Sequence, residues 1–248
     1  MVDSTPILKL LFETDFARPA DCRILRMDAG AHLPAEASLP RFAHILLSGA
    51  ASSSLCMANG NRALVRMSFC GDLIEIYRLM GTTYDGSYVT MTVPGEVARI
   101  PFALVQRAFA ADQTFRDAAL ASGTMHSLIT QRLAACNLFH TIEERLARYL
   151  MTLSHHSGAT VLPLTQEYLA EELGVQRSTL VIAAGELRRK GCVTFSRGRI
   201  HVIDPTRLAK AACECYAGML SVRDGSPPIR PAPEPDSIPE PVVARTAA

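Results

Sequence analysis

The sequence predicts an α+β protein with a β-rich N-terminal part, a long central helix, a helix-turn-helix closed by a hairpin, and a proline-rich tail. Three observations carry this. Through the first hundred residues, short apolar stretches alternate with Gly, Pro, Asn and Asp, as the strands and turns of a sandwich or barrel do. From Pro101 to Pro163 no proline interrupts a helical texture. Residues 164–187, LTQEYLAEELGVQRSTLVIAAGEL, set a glycine between two amphipathic runs, with an arginine three places after it.

Composition narrows the classes. With 248 residues and 48% hydrophobic content, the chain can build one large core or two ordinary ones. Charges interrupt each apolar run well before the roughly 20 residues that a membrane span needs. MVDSTPILKLLFETDF has no basic leader before an apolar stretch, so neither a span nor a secretory signal is expected and the cytoplasm is the expected compartment. The seven cysteines, an odd and scattered set, read as reduced thiols. A net charge of +1 creates no whole-chain field for nucleic acid. Between Gln176 and His201, however, Arg177, Arg188, Arg189, Lys190, Arg197 and Arg199 stand against the single acid Glu186. This local excess suits phosphates, or equally a solvated helix end.

Strands are expected in CRILRMDAG (22–30), FAHILLSGAASSSLCM (42–57), RALVRMSF (62–69), GSYVTMTV (86–93) and EVARIP (96–101), with Asn59-Gly60 as a hairpin turn. They make a β domain over 1–101. A helical region follows over 102–140, where Phe115, Ala118, Ser122, Met125, Ile129 and Cys136 recur near a 3.5-residue spacing with Arg132 at the remaining position. Ser122, Met125, Ile129 and Cys136 are the candidate dimer seam; the alternative is a helix packed on its own barrel. Thr141 and Glu144 form a capping box for IEERLARYLMTL, whose Ile142, Leu146, Tyr149 and Leu150 share a face. In the connector SHHSGATVLP, His155-His156 reads as an exposed turn. GCVTFSRGRIHVID reads as two strands around Arg197-Gly198 and completes a unit over 141–217. Residues 218–248, whose last 28 hold seven prolines, are expected to be disordered.

A helix-turn-helix needs a small residue where its helices cross, a turn residue that tolerates positive φ, and apolar buried positions. Ala170 and Gly174 fill the first two roles; Leu169, Leu173, Val175, Leu180 and Ala183 fill the third. Thr165 caps the first helix, and the second runs from near Gln176 to Gly191. With Leu180, Ala183, Ala184 and Leu187 inward, Gln176, Arg177, Ser178, Val181 and Ile182 face outward. These five, with Thr179 and with Thr165 and Gln166 at the first helix, are the candidate contacts to double-stranded DNA. Arg177 suits guanine and Val181 or Ile182 a thymine methyl, unless the two branched residues pack under the hairpin. Ser196, Arg197 and Arg199 suit the flanking phosphates.

Other chemistry is sparse. No phosphate loop or nucleophile–base pair stands out, so no catalytic residue, metal site or enzymatic activity is expected. Cys213-Glu214-Cys215 is a lone C-x-C without the second half of a zinc site and reads as packing at a helix end. The competing class is a cupin-like metalloenzyme or small-molecule-binding barrel with a helical appendage. It needs closely spaced histidines on facing strands, and no H-x-H occurs.

RLAACNLFHTIEERLARYLMTL, LPLTQEYLAEELGVQRSTL, LRRKGCVTFSRGRIHVIDPTRL and the terminal CECY together resemble the bacterial Crp/Fnr transcription regulators, strongly over about 125–217. LLSGAA and Gly71-Asp72 extend a weaker similarity into the β-rich part. The resemblance implies a cyclic-nucleotide-binding-like jelly roll, a homodimer joined through the central helix, a winged helix-turn-helix on palindromic operators, and RNA polymerase as a partner. Arg177 matches the family's guanine-reading arginine and Thr165 its phosphate-contacting threonine. Ser178 stands where the family has an acidic reader and Ile182 where it has a second arginine, so a different base preference is expected. Gly71 and Asp72 match the ribose-binding pair of the effector pocket. YDGSYVTMT lacks the phosphate-binding arginine and brings Asp85 instead, so cyclic AMP is not the expected effector. Cys22 alone does not make the N-terminal iron–sulfur cluster of another branch. His32, His44 and His126 leave haem, or another small-molecule effector, open.

Overall fold

The computed structural model describes residues 6–33, 40–82 and 87–225. Helix α1 (Pro6–Glu13) precedes eight strands: β1 (Arg23–Met27), β2 (His32–Leu33), β3 (Phe42–Leu46), β4 (Ala50–Cys56), β5 (Arg62–Ser68), β6 (Leu73–Ile74), β7 (Ser87–Val93) and β8 (Gly95–Pro101). They pair into two antiparallel sheets, ordered β1-β8-β3-β6 and β2-β7-β4-β5. These are the strand orders of an eight-stranded jelly roll. Leu46, Ala51, Ile74, Met91 and Val97 close the core between the sheets. At one end two turns touch so closely that a Cβ on Gly49 would lie 2.5 Å from the Pro94 carbonyl oxygen, and one on Gly95 2.0 Å from that of Ser48. Only glycine permits this approach.

After β8 come α2 (Phe102–Ala111), α3 (Gln113–Phe139) and α4 (Ile142–Ser157), then β9 (Val161–Leu162), α5 (Gln166–Leu173), α6 (Arg177–Arg189), β10 (Val193–Ser196), β11 (Arg199–Val202), α7 (Pro205–Ala211) and α8 (Cys215–Asp224). The helical region over 102–140 is thus two helices, broken at Asp112, whose carboxylate accepts from the Phe115 N–H at 2.7 Å and caps α3. The boundary at His140 and the Thr141–Glu144 capping box stand as the sequence indicates. Helix α4 is buried on every side from Arg145 to Ser154, not along one face, because the jelly roll, α3 and the helix-turn-helix all pack around it.

Four expectations need correction. Helix α1, unforeseen in PILKLLFE, buries Ile7, Leu8 and Leu11 in a cluster with α2 and the start of α3. His155 and His156 form the last turn of α4, where the His156 ring lies 4.4 Å from that of Phe69, centroid to centroid. The disordered tail does not begin at 218: α8 continues to Asp224 with Met219 and Ser221 buried, and Gly218 lets it press against the Arg132 guanidinium of α3. Residues 226–248 lie outside the described residues.

The fourth concerns the dimer seam. At about 100° per residue, Ser122, Met125, Ile129 and Cys136 do share one face of α3, but that face turns toward the chain's own domains. Cys136 is fully buried and Ile129 packs on the same core. The opposite face carries the exposed apolar residues Leu120, Leu128 and Leu138, with Phe139 beside them. The period marked burial, and burial here comes from the same chain. No described helix is long and apolar enough to cross a membrane.

Candidate DNA interface

Helices α5 and α6 meet around Ala170, which is 4% exposed, and turn at Gly174, which adopts φ +63°. The Thr165 hydroxyl oxygen accepts from the Tyr168 N–H at 3.1 Å. This satisfies one free amide of α5 and leaves the hydroxyl free to donate to another group. Leu180, Ala183, Ala184 and Leu187 bury the inner face of α6. Gln176, Arg177, Ser178, Thr179, Val181 and Ile182 are all exposed. Ile182 is 70% exposed and Val181 44%, so neither packs under the hairpin. Two outward branched residues, Val181 and Ile182, gain nothing from water and fit contact with a partner.

Strands β10 and β11 pair antiparallel with Ser196 opposite Arg199. Their two-residue turn places Arg197 at φ +43° and Gly198 at φ +75°, the left-handed pair that suits a tight hairpin. A Cβ on Gly198 would touch the Thr165 methyl at 3.7 Å, so the wing tip sits beside the start of α5. Thr165, Gln166, Arg177, Ser196, Arg197 and Arg199 therefore line one open groove of about 400 Å³. Charge is distributed unevenly along α6. At its C-terminal end Arg189 pairs with Glu186, and Lys190 with Glu143 of α4. Arg177, Arg197 and Arg199 have no carboxylate within 4 Å among the described residues. Three unpaired arginines thus meet at the groove beside the single acid Glu167, and a fourth, Arg188, stays unpaired among the described residues at the far end of α6, so an anionic backbone can meet positive charge along this face.

The effector residues fall differently. Gly71 makes a left-handed turn at φ +93°, and Asp72 is 4% exposed. One Asp72 oxygen accepts from the Phe69 N–H at 2.7 Å and from Arg223 of α8 at 2.8 Å; the other lies 3.7 Å from His126 Nε2. The short carboxylate is spent inside the fold and is not free for a ribose. The cavity lies elsewhere: about 670 Å³ between the jelly roll and α3, lined by Ser53, Arg66, Tyr77, Thr124, His126 and Ser127 among others. Its cation is Arg66, which comes from β5 and not from the later segment where sequence comparison looks for an arginine. Arg66 donates to Ser53 Oγ at 3.4 Å and lies over the Tyr77 ring. Asp85 lies outside the described residues.

The histidines sit on three separate elements. His32 shares a 2.9 Å hydrogen bond with Thr90, His44 lies within β3, and His126 is buried on α3. Burial pulls the His126 imidazole down to about pKa 4, against the opposing pull of Asp72. None of the three belongs to the one cluster of metal-ligating side chains among the described residues, which is Cys136, His140, Cys213 and Cys215. Cys213 and Cys215 thus stand beside Cys136 and His140 from the end of α3. Sequence inspection could not join them because the entire helix-turn-helix lies between.

Residues 144–211 match the Crp-like helix-turn-helix domain family. No curated protein sequence matches the chain. Among solved structures, a crp/fnr-family putative transcriptional regulator from Eubacterium rectale is 16% identical, with 84% of this chain and 94% of that one covered and a TM-score of 0.63. A CRP-family transcriptional regulator from Thermus thermophilus is 19% identical, with 76% and 96% covered and a TM-score of 0.63. FixK2 from Bradyrhizobium japonicum is 16% identical, with 77% and 98% covered and a TM-score of 0.61.

Proposed function

We propose, for a chain that has the Crp/Fnr fold and carries a Crp-like helix-turn-helix domain, that it regulates transcription by laying α6 in the major groove of double-stranded DNA. The observation that carries the reading is the single surface on which Arg177, Ser178, Val181 and Ile182 stand exposed beside a groove walled by Thr165, Arg197 and Arg199. Arg177 offers two parallel donors to guanine, Ile182 or Val181 packs on a thymine methyl, and the wing arginines hold phosphates and set the register. With Ser178 and Ile182 in place of charged readers, recognition leans on fewer hydrogen bonds and more on apolar contact.

The same reading makes the protein a homodimer. Its interface is the outward face of α3, where Leu120, Leu128, Leu138 and Phe139 are left in water by the monomer. A two-fold axis along α3 would present two α6 helices to successive major grooves of a palindrome. The effector seat is the cavity of about 670 Å³ under α3, which suits a small ligand with one anionic group facing Arg66. Cyclic AMP has no assigned partner for its ribose there, since Asp72 is already bonded within the fold.

The test is selection of random duplexes by the reduced protein at fixed salt, followed by affinity measurements. A palindrome should emerge, and Arg177→Ala should cost about 1–3 kcal/mol while relaxing preference at one base pair per half-site. Arg199→Ala should weaken all sequences alike and lower the salt slope by about 1. If Arg177→Ala alters neither affinity nor preference, α6 is not the reading helix.

A further inference from the structure

The end of α3 meets the link between α7 and α8 in a cluster that the DNA-binding reading does not use. Cys136 and His140 lie one helical turn apart, and Cys213 and Cys215 flank Glu214 where the link enters α8. We propose that these three cysteines and one histidine form a binding site for a single divalent ion of the zinc type, which ties α3 to the C-terminal edge of the helix-turn-helix domain.

The four ligand atoms all lie within 4.8 Å of one another, with Cys136 Sγ 3.5 Å from Cys213 Sγ and Cys215 Sγ 3.7 Å from His140 Nδ1. In a tetrahedral zinc site, with metal–sulfur bonds of about 2.3 Å and metal–nitrogen bonds of about 2.0 Å, neighbouring ligand atoms stand roughly 3.5–3.8 Å apart. The side chains are therefore nearly at their final spacing and need only small rotamer adjustments. An iron–sulfur cluster distributes its ligands over separate irons and needs a wider set. Four protein ligands leave no open coordination position, so the site is structural and not catalytic.

The histidine is already oriented. Its Nε2 lies 3.1 Å from Glu214 Oε2, while Nδ1 faces the thiols. A carboxylate that holds one ring N–H fixes the tautomer that presents the other nitrogen's lone pair to a metal. The same three-residue C-E-C segment thus supplies two sulfur ligands and the group that orients the nitrogen ligand.

Charge gives an independent argument. Arg148 is completely buried, its Nε and Nη2 have no hydrogen-bond partner, and Nη1 reaches only Met219 Sδ at 3.8 Å. Nearby Arg145, also buried, leaves its Nε without a partner. No described carboxylate lies within 4 Å of either one. A buried guanidinium without an anion is costly. Both arginines are close enough for their charge to act on Cys136. A divalent ion held by three thiolates and a neutral imidazole carries one net negative charge and supplies the missing counter-ion. Binding exchanges three thiol protons for the ion, and no electron moves. The ligands span the joint between α3 and α4 at His140, so the ion pins the attitude of the DNA-binding domain to α3.

The test is anaerobic titration of the reduced, metal-stripped full chain with Co2+. One ion per chain is expected, with thiolate-to-cobalt charge-transfer absorption and intense tetrahedral ligand-field bands that Zn2+ abolishes. Cys213→Ser should remove these bands. Because Cys213 is buried and this variant can fail to fold, His140→Gln at the partly exposed rim is the second probe and should weaken cobalt affinity at least tenfold. Glu214→Gln should weaken it about 10–100-fold while keeping the tetrahedral spectrum. Cys56→Ser and Cys70→Ser, on exposed thiols away from the cluster, should change nothing. Pale octahedral bands, or binding that survives in both folded ligand variants, would overturn the site. So would a reduced chain that takes up no cobalt while air joins Cys136 to Cys213 as a disulfide.

Discussion

The DNA-binding domain is held to the rest of the molecule at two polar joints, and they are built in opposite ways. Against the jelly roll, Glu172 of α5 is 2% exposed and accepts from Ser54 Oγ at 2.7 Å and from Arg62 at 2.9 Å. Around it Thr92 donates to Ser52 at 2.7 Å and lies 3.3 Å from the Tyr168 hydroxyl, and Tyr149 reaches Ser52 at 3.5 Å. Those side-chain oxygens find partners within the chain. Against α3, by contrast, three thiols and a histidine crowd beside Arg148, whose Nε and Nη2 lack acceptors, and Arg145, which donates to the Leu173 carbonyl but leaves Nε without one. The first joint leaves one buried nitrogen, Arg62 Nε, without a partner; the second leaves three, Nε and Nη2 of Arg148 and Nε of Arg145. A buried polar network grows costlier as more of its members lack partners, so the second joint is the weaker of the two as folded.

Acid should have the largest effect, and it strikes on the α3 side. Burial lowers His126 to about pKa 4, against about 6.5 when unfolded. Between those values the unfolded chain binds the extra proton, so stability is intact above pH 6.5 and falls as pH drops toward 4. The loss from His126 is roughly 3 kcal/mol, and His156, also lowered to about 4 by burial but more exposed, adds a smaller amount. Urea unfolding across that range should show the slope, and His126→Gln should flatten it. A pH-independent midpoint would mean that the imidazole is hydrated in the native state.

Breaking the jelly-roll joint comes next. Glu172→Ala leaves the Ser54 hydroxyl and one Arg62 nitrogen without their acceptor. The cost should be about 3 kcal/mol, the low end for a broken buried pair, because Arg62 keeps Glu171 at 3.6 Å. Glu172→Gln keeps the side-chain volume and one acceptor oxygen for Ser54 or Arg62, so it should cost less. Equal losses for the two variants, measured by urea unfolding, would contradict this account.

Arg148→Met sharpens the contrast further. In metal-free protein it should be neutral or stabilising by about 1–2 kcal/mol, since it removes a buried charge that has no anion; in zinc-loaded protein it should lower stability. Paired thermal melts with and without the ion read both signs. Smallest is Thr141→Ala at the joint itself. It removes the acceptor of the Glu144 N–H and should cost about 1 kcal/mol by the same measurement, with no change in cobalt binding.

The helix-turn-helix was almost fully legible because its requirements are local. A small crossing residue, a left-handed glycine and a 3.6-residue apolar period fix which side chains of α6 point out, whatever surrounds them. The jelly roll was legible as strands and turns, though the pairing that makes its two sheets joins residues far apart in sequence. Helix α3 was legible as helix but not in the meaning of its faces: a buried period looks the same whether a partner or the same chain covers it. Asp72 matched a family position by spacing, yet the Phe69 turn and Arg223 of α8 claim its oxygens.

What the sequence by itself determined, then, is everything set by neighbours within a few residues: caps, turns, the inner and outer faces of α6, and the wing hairpin. Only the tertiary structure decided what depends on distant segments meeting. It turned the inward face of α3 onto its own core, placed Arg66 in the cavity, closed Glu172 against the jelly roll, and set Cys136 and His140 beside Cys213 and Cys215. The physical reason is that hydrogen-bond propensity and periodicity act along the chain, whereas desolvation and charge compensation are properties of the space into which the chain has folded.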